Sequence, residues 1–489
     1  VMLIWGDVLD RVRRPVYAVV LLAAVGLGYL AAPMAGSHWT IVDVGGYRGV
    51  YNSAYIGVVT ALAGSLWLTL GGFYVVRDGI QRDARTGVGE LLAATPLRNV
   101  RYLAGKFAAN LLLLASMLAA LAVTSVVMQL ARGESYAVDP VALLKPFVLV
   151  ALPLLALTAA FALLFESVPL LRGGIGNIVW FCVSLVVMLG GQSAALGAFG
   201  VHPVVRSLAE GVRTKGEFSL GLTYVDRPLR TFEWHGAALG WGFTGARLLL
   251  VAVAVAVAVL PALWFGRFDP ARGVGRAAPV GQAVVHVGGA GFAFSGLTAV
   301  ARGSAAGRLL VGETRILLRG VSRWWWLVVG GISAAALAAP VNLLPVLWVL
   351  PVLIWSRLGA QRTENGLDGL LAAYPAASGR MWVEWLSGVA LTAACGLAPL
   401  VRLAVSGDWD GVGGWAGGVL FVPALALALG TLTRTHRAFQ ALYLPLWYAA
   451  VNGIGAFDYM GTCRPLVFAL TAGLLLTTFV IGAFRRSRR

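Results

Sequence analysis

The sequence is poor in most of what soluble chemistry uses. Only 12% of its 489 residues are charged, against about a quarter in an ordinary soluble domain. Lys106, Lys145 and Lys215 are its only lysines, and the three cysteines are scattered: Cys182 and Cys395 in apolar runs, Cys463 in a short loop. That pattern argues against a disulfide framework or a thiolate metal site. No G-x-x-x-x-G-K-[ST] occurs, so the cradle and lysine that hold nucleotide phosphates are missing. H-E-x-x-H and G-x-S-x-G are missing too, which removes the zincin and α/β-hydrolase signatures.

What the chain does have is apolar length. Apolar residues make up 59% and the mean hydropathy is +0.82, which places it among multi-span membrane proteins. The net charge of +17 does not indicate a nucleic-acid partner, because the arginines cluster in short connections between apolar runs. That is the positive-inside pattern, which sets orientation. It predicts both termini on the cytoplasmic side of the cytoplasmic (inner) membrane.

Residues 1–16 mix Trp5 and Leu9 with Asp10, Arg11, Arg13 and Arg14, which predicts an amphipathic interfacial helix. The first apolar run has no small-x-small cleavage pattern, so it is read as a span rather than a signal peptide. Twelve spans are expected, at about 17–33, 53–76, 104–130, 141–165, 174–196 and 242–265, then at about 326–339, 341–355, 383–405, 415–432, 438–454 and 466–484. Those at 326–339 and 341–355 are short and tightly joined around Pro340, which predicts that they tilt little or enter the bilayer only partly. The VAVAVAVAV run in 242–265 alternates like a strand, yet in lipid it must satisfy its own backbone, so helix is expected.

Residues 266–307 read as a cytoplasmic linker, although AVVHVGGAGFAFSGLTAV within them is apolar enough to tempt a span assignment. RLLVGETRILLRG then echoes the N-terminal interfacial helix, and Trp324, Trp325 and Trp326 belong at headgroup level. The stretch 197–241 is the longest external one, either a solvated connector or a cap. Arg247 and Arg402, near outer span ends, either snorkel to the headgroups or contact cargo.

Between the second and third apolar runs of each half lies a short charged stretch. In the first, GVGELLAATP predicts a helix of roughly two turns, capped by Thr86 and ended by Pro96. The stretch returns as NGLDGLLAAYP: aligning Pro96 with Pro375 also aligns Gly87 with Gly366, Leu91 and Leu92 with Leu370 and Leu371, and Arg101 with Arg380. A gapless match of this kind reads as an internal repeat. The pattern resembles the coupling helices of ABC-2-type permeases.

That resemblance implies an all-α polytopic membrane protein of about twelve transmembrane helices, with six-helix repeats at 1–265 and 308–489. It implies that Gly87, Glu90, Leu91, Leu92, Pro96 and Arg101, with Gly366, Asp368, Leu370, Leu371, Pro375 and Arg380, dock on cytosolic ABC ATPase subunits. ATP and Mg would then be bound by the partner, with no cofactor in this chain, and the cargo would be amphipathic: a drug, natural product, lipid or peptide. Two other classes stay open. One is an ion-coupled secondary transporter of six-plus-six design, and the other is a membrane enzyme on lipid-linked substrates, for which no acid/base pair stands out. The acidic residues fall in loops, interfacial helices or span ends, with Glu166 and Glu384 reaching furthest in.

Overall fold

The computed structural model describes residues 2–34, 36, 37, 39–172, 174–212, 218–224, 229–266, 268, 305–338, 343–364, 379–451, 458–461 and 464–487. The second copy of the short helix lies outside the described residues, and so does almost all of the expected linker. The chain divides into two units, Val1–Ala283 and Val284–Arg489.

The first unit is helical, and its consecutive helices run between two ends, a base and a crown. From the base, α1 (Met2–Val12) turns at Pro15 by 76° into α2 (Pro15–Ala31). At the crown the chain forms β1 (Trp39–Val44) and β2 (Tyr47–Gly49), then returns as α3 (Ser53–Leu70) and α4 (Gly72–Val76). Asn52 starts α3 by accepting the Tyr55 N–H at 2.9 Å. The base carries α5 (Gly79–Arg85) and α6 (Val88–Ala93). Next comes α7 (Asn99–Arg132), 34 residues or about 50 Å at 1.5 Å per residue, longer than the ~30 Å hydrocarbon layer.

Gly133, at φ 69°, ends α7, and Asp139 with Pro140 starts α8 (Pro140–Pro146). The ladder widens to a π turn over Phe147–Ala151 between Pro146 and Pro153 and continues as α9 (Leu152–Ser167). Then α10 (Gly174–Gly190) rises to the crown, which adds α11 (His202–Val212), β3 (Phe218–Tyr224) and β4 (Arg230–Phe232). The return helix α12 (Trp241–Val259) contains the whole alternating Val-Ala run, as backbone satisfaction requires.

The second unit contains α13 (Ala305–Leu318), α14 (Arg323–Ala338), α15 (Leu344–Val349), α16 (Val352–Trp355), α17 (Gln361–Glu364), α18 (Arg380–Cys395), α19 (Leu397–Ser406), α20 (Trp409–Thr433), α21 (Arg437–Val451) and α22 (Pro465–Ser487). Its opening pair repeats the bend of the first unit, with 99° between α13 and α14.

Among the described residues, six helices are long and apolar enough to cross a membrane, or up to nine if each of three bent pairs is one span. This is an all-α, multi-pass membrane protein, with two small strand pairs added. Those strands depart from expectation. Residues 35–52 read as a polar connection, but β1 pairs antiparallel with β3 and β2 parallel with β4. Arg48 joins the connection after α7 to them, bonding Glu134 at 2.6 and 3.0 Å. Trp234 is buried beneath, and Asn52 donates to its carbonyl at 2.8 Å. The described parts of 197–241, residues 197–212, 218–224 and 229–241, therefore include strands paired with the earlier connection.

Candidate docking helix and the buried charges beneath it

The short helix predicted after Thr86 is present as α6, one residue later than expected. Thr86 does not cap it. Its hydroxyl donates back to the Arg82 carbonyl at 3.0 Å and closes α5 instead. Gly87 holds the N-cap position at φ 76°, a left-handed conformation that glycine adopts without a Cβ penalty. Helix ends at Ala93, where the Thr95 hydroxyl takes the Leu92 carbonyl at 2.8 Å, just ahead of Pro96.

This helix turns one apolar edge outward. Leu91 is 72% exposed and Val88 43%, while Glu90, Pro96 and Arg101 are exposed and Leu92 half-buried. Its opposite side is fixed: a Cβ on Gly89 would lie 2.7 Å from the Phe268 ring, so only glycine fits that contact. Gly366, Asp368, Leu370, Leu371 and Pro375 lie outside the described residues.

Beneath α6 lies a cluster of buried charges. Asp7 of α1 accepts from Lys106 of α7 at 3.2 Å and pairs with Arg11 at 3.1 Å and with Arg82 of α5. Lys106 also meets Asp83 at 2.9 Å, and the Tyr102 hydroxyl donates to Asp83 at 2.8 Å. Arg11 reaches on to the Asn110 side-chain carbonyl at 2.6 Å and the Val76 carbonyl at 3.1 Å. Glu166, at the end of α9 and 1% exposed, accepts the backbone N–H groups of Asp78, Gly79 (3.1 Å) and Ile80 (2.7 Å). It thereby satisfies donors that α5 would otherwise leave open at its N-terminus. Four elements converge here, so α6 stands on a base held by charge-assisted bonds in a low-dielectric setting.

The second unit has a related arrangement. Asp78 and Gly359 both adopt left-handed φ, 76° and 72°. Each donates its N–H to a buried glutamate, Asp78 to Glu166 and Gly359 to Glu384 at 2.7 Å. Arg362 pairs with Glu384, and Arg380 with Glu313 of α13. The aligned pair Arg101 and Arg380 therefore diverges, since Arg101 faces outward and Arg380 bonds inward. Glu364, at the end of α17, contacts the His436 ring at 2.7 Å. Burial would push its carboxyl up, but the His436 contacts hold it below the usual carboxylate range.

In the sequence Glu166 and Glu384 stand at span ends with no partner in view. Lys106 is the signal for the buried cluster that hydropathy misses, since a lysine within the AGKFAAN run needs something buried to answer its charge.

Comparisons with family models, with curated proteins and with solved structures return no match for this chain.

Proposed function

We propose that the chain is the membrane permease of an ATP-driven exporter of the ABC-2 type, made of two six-helix repeats. In this reading the base and both termini face the cytosol, and separate ATPase subunits dock on α6 and on its second copy. ATP and Mg belong to those subunits, and the cargo is amphipathic. The observation that carries the reading is the outward apolar edge of α6, with Leu91 72% exposed, on a foot fixed by buried charges. A short helix that presents leucine at a rigid site suits insertion into a partner's groove. Two further features support it. The sequence has no nucleotide cradle of its own, and left-handed residues capped by glutamate precede both copies of the motif. Closure of the ATPases would move the short helices, and these would rock one half against the other, as alternating access requires.

The test is co-purification with the ATPase subunits. The complex should hydrolyse ATP, and Leu91→Asp with Leu370→Asp should release the ATPases while leaving the permease folded. Retention of the ATPases by the double variant would sink the docking assignment.

A second reading, an ion-coupled carrier, draws on the buried Lys106, Asp7 and Asp83 cluster, because titratable groups inside a bundle are what ion coupling needs. The cluster sits at the base, within the first turns of α7, and not midway along the helices. That position favours a structural role.

A further inference from the structure

Buried charges in this chain are paired, with one exception among the described residues. Asp7, Arg11, Asp83 and Lys106 share one cluster. Arg48 has Glu134, Arg77 lies near Glu166, Glu313 has Arg380 and Glu384 has Arg362. Arg247 of α12 is 5% exposed and has no carboxylate beside it.

Its surroundings are ordered. The guanidinium donates to the Phe199 carbonyl at 3.0 Å and to the Gly200 carbonyl, and lies over the Phe243 ring at 4.3 Å. The Nε–H is buried and meets no acceptor. Neutral carbonyls and one aromatic face orient the cation without cancelling its charge, and an uncompensated buried charge is costly. A snorkelling arginine would extend outward to water; this one is folded inward against the chain between α10 and α11. It lies six residues, about 9 Å of helix, from Trp241, which is fully outward at the crown end of α12 and suited to a membrane interface.

We propose that Arg247 is an anion-binding residue that takes one oxyanion group, a carboxylate or a phosphate, of an amphipathic molecule. Both Nη groups already donate to main-chain carbonyls, so the unmatched Nε–H, with the second hydrogen of Nη2, is the side-on fork that would bind such a group in bidentate fashion. The phosphate of an anionic lipid and the acid group of an anionic cargo share this chemistry. The assignment does not rest on the transporter reading, because it concerns binding to the isolated chain.

The experiment is thermal unfolding of the purified full chain in neutral detergent, titrated separately with oleate, dioleoyl phosphatidate, monoolein and inorganic phosphate. Oleate or phosphatidate should raise the wild-type Tm saturably, and monoolein should not. In R247M that response should weaken by about tenfold or more, as expected for loss of a charge-assisted pair. R247K keeps the charge and lacks the fork, so its response should fall between the two, and it decides the matter if R247M does not fold. A response to inorganic phosphate alone makes the source a free anion; a response confined to the amphiphiles makes it the membrane or a membrane-borne cargo. Equal shifts in wild type and both variants, or no shift with any anion, would overturn the assignment.

Discussion

In the first unit, the chain entering α5 is held by Glu166, which reaches it from the end of α9 and accepts three backbone N–H groups. In the second unit, Glu384 reaches the corresponding turn from α18 and accepts one backbone N–H and the Arg362 guanidinium. The same end is met from different helices. A left-handed turn before a short basal helix leaves donors buried, and a carboxylate must answer them; which helix supplies it is secondary. The crowns diverge further. The first unit builds a strand-paired cap, and its α7 continues unbroken for 34 residues. In the second, the helix after the motif breaks at Gly396 and bends by 61° between α18 and α19.

The largest expected effect separates the two carboxylates. Glu166→Ala leaves two buried N–H groups and one part-buried N–H open beside Arg11 and Arg77 and should cost about 3–5 kcal/mol. Glu384→Ala removes fewer bonds and should cost less. Thermal unfolding of both variants measures the difference, and an equal loss would break the comparison.

Next is the bend. A Cβ on Gly396 would lie 2.6 Å from Trp415 Nε1 and 2.9 Å from Trp348 Nε1, so Gly396→Ala should cost about 1–3 kcal/mol by overpacking. Hydrogen exchange should place the loosening in the second unit. Protection lost equally in the first would count against independent units.

A smaller effect concerns the crown. Burial would raise the Glu134 carboxyl, but the Arg48 guanidinium and the Tyr51 N–H hold it below the ordinary range. A carboxyl depressed on folding stabilises fully above its unfolded pKa, about 4.3 for glutamate, and the gain is lost as pH falls through the folded value. Since Glu134 is partly exposed, the gain is about 1 kcal/mol or less. Exchange protection of β2 should fall in acid below about pH 4 in wild type, and Glu134→Gln should flatten that dependence. The smallest effect is on α6 itself: Leu91→Asp should leave the stability of the isolated chain unchanged within about 0.5 kcal/mol, since the Leu91 side chain is mostly exposed.

Much of this was legible in the sequence. Hydropathy located α3, α7, α8 with α9, α12, α20 and α22, and the Gly-Val-Gly-Glu-Leu-Leu pattern located α6. The register of its cap was misread because threonine is the stronger general signal at an N-cap, whereas the sharp reversal between α5 and α6 needs the left-handed φ of Gly87. The crown was hidden for another reason. Trp39–Val44 and Phe218–Tyr224 pair across most of the first unit, and neither carries a strand signal strong enough to stand against its polar, glycine-containing surroundings. In the sequence Arg247 is a span-end cation that either snorkels to the headgroups or contacts cargo; its inward bonding escapes notice there because its partners are main-chain carbonyls that no side-chain pattern reveals.

Under the proposed function, ATPases seated on the short basal helices drive transport. Transport by the assembled complex in vesicles, followed with the proton motive force collapsed and ATP held high, tests it most directly. Transport should persist under the protonophore and stop when vanadate blocks ATP hydrolysis. Loss of transport under the protonophore at constant ATP would contradict it and turn attention to Lys106, Asp7 and Asp83 as a coupling site.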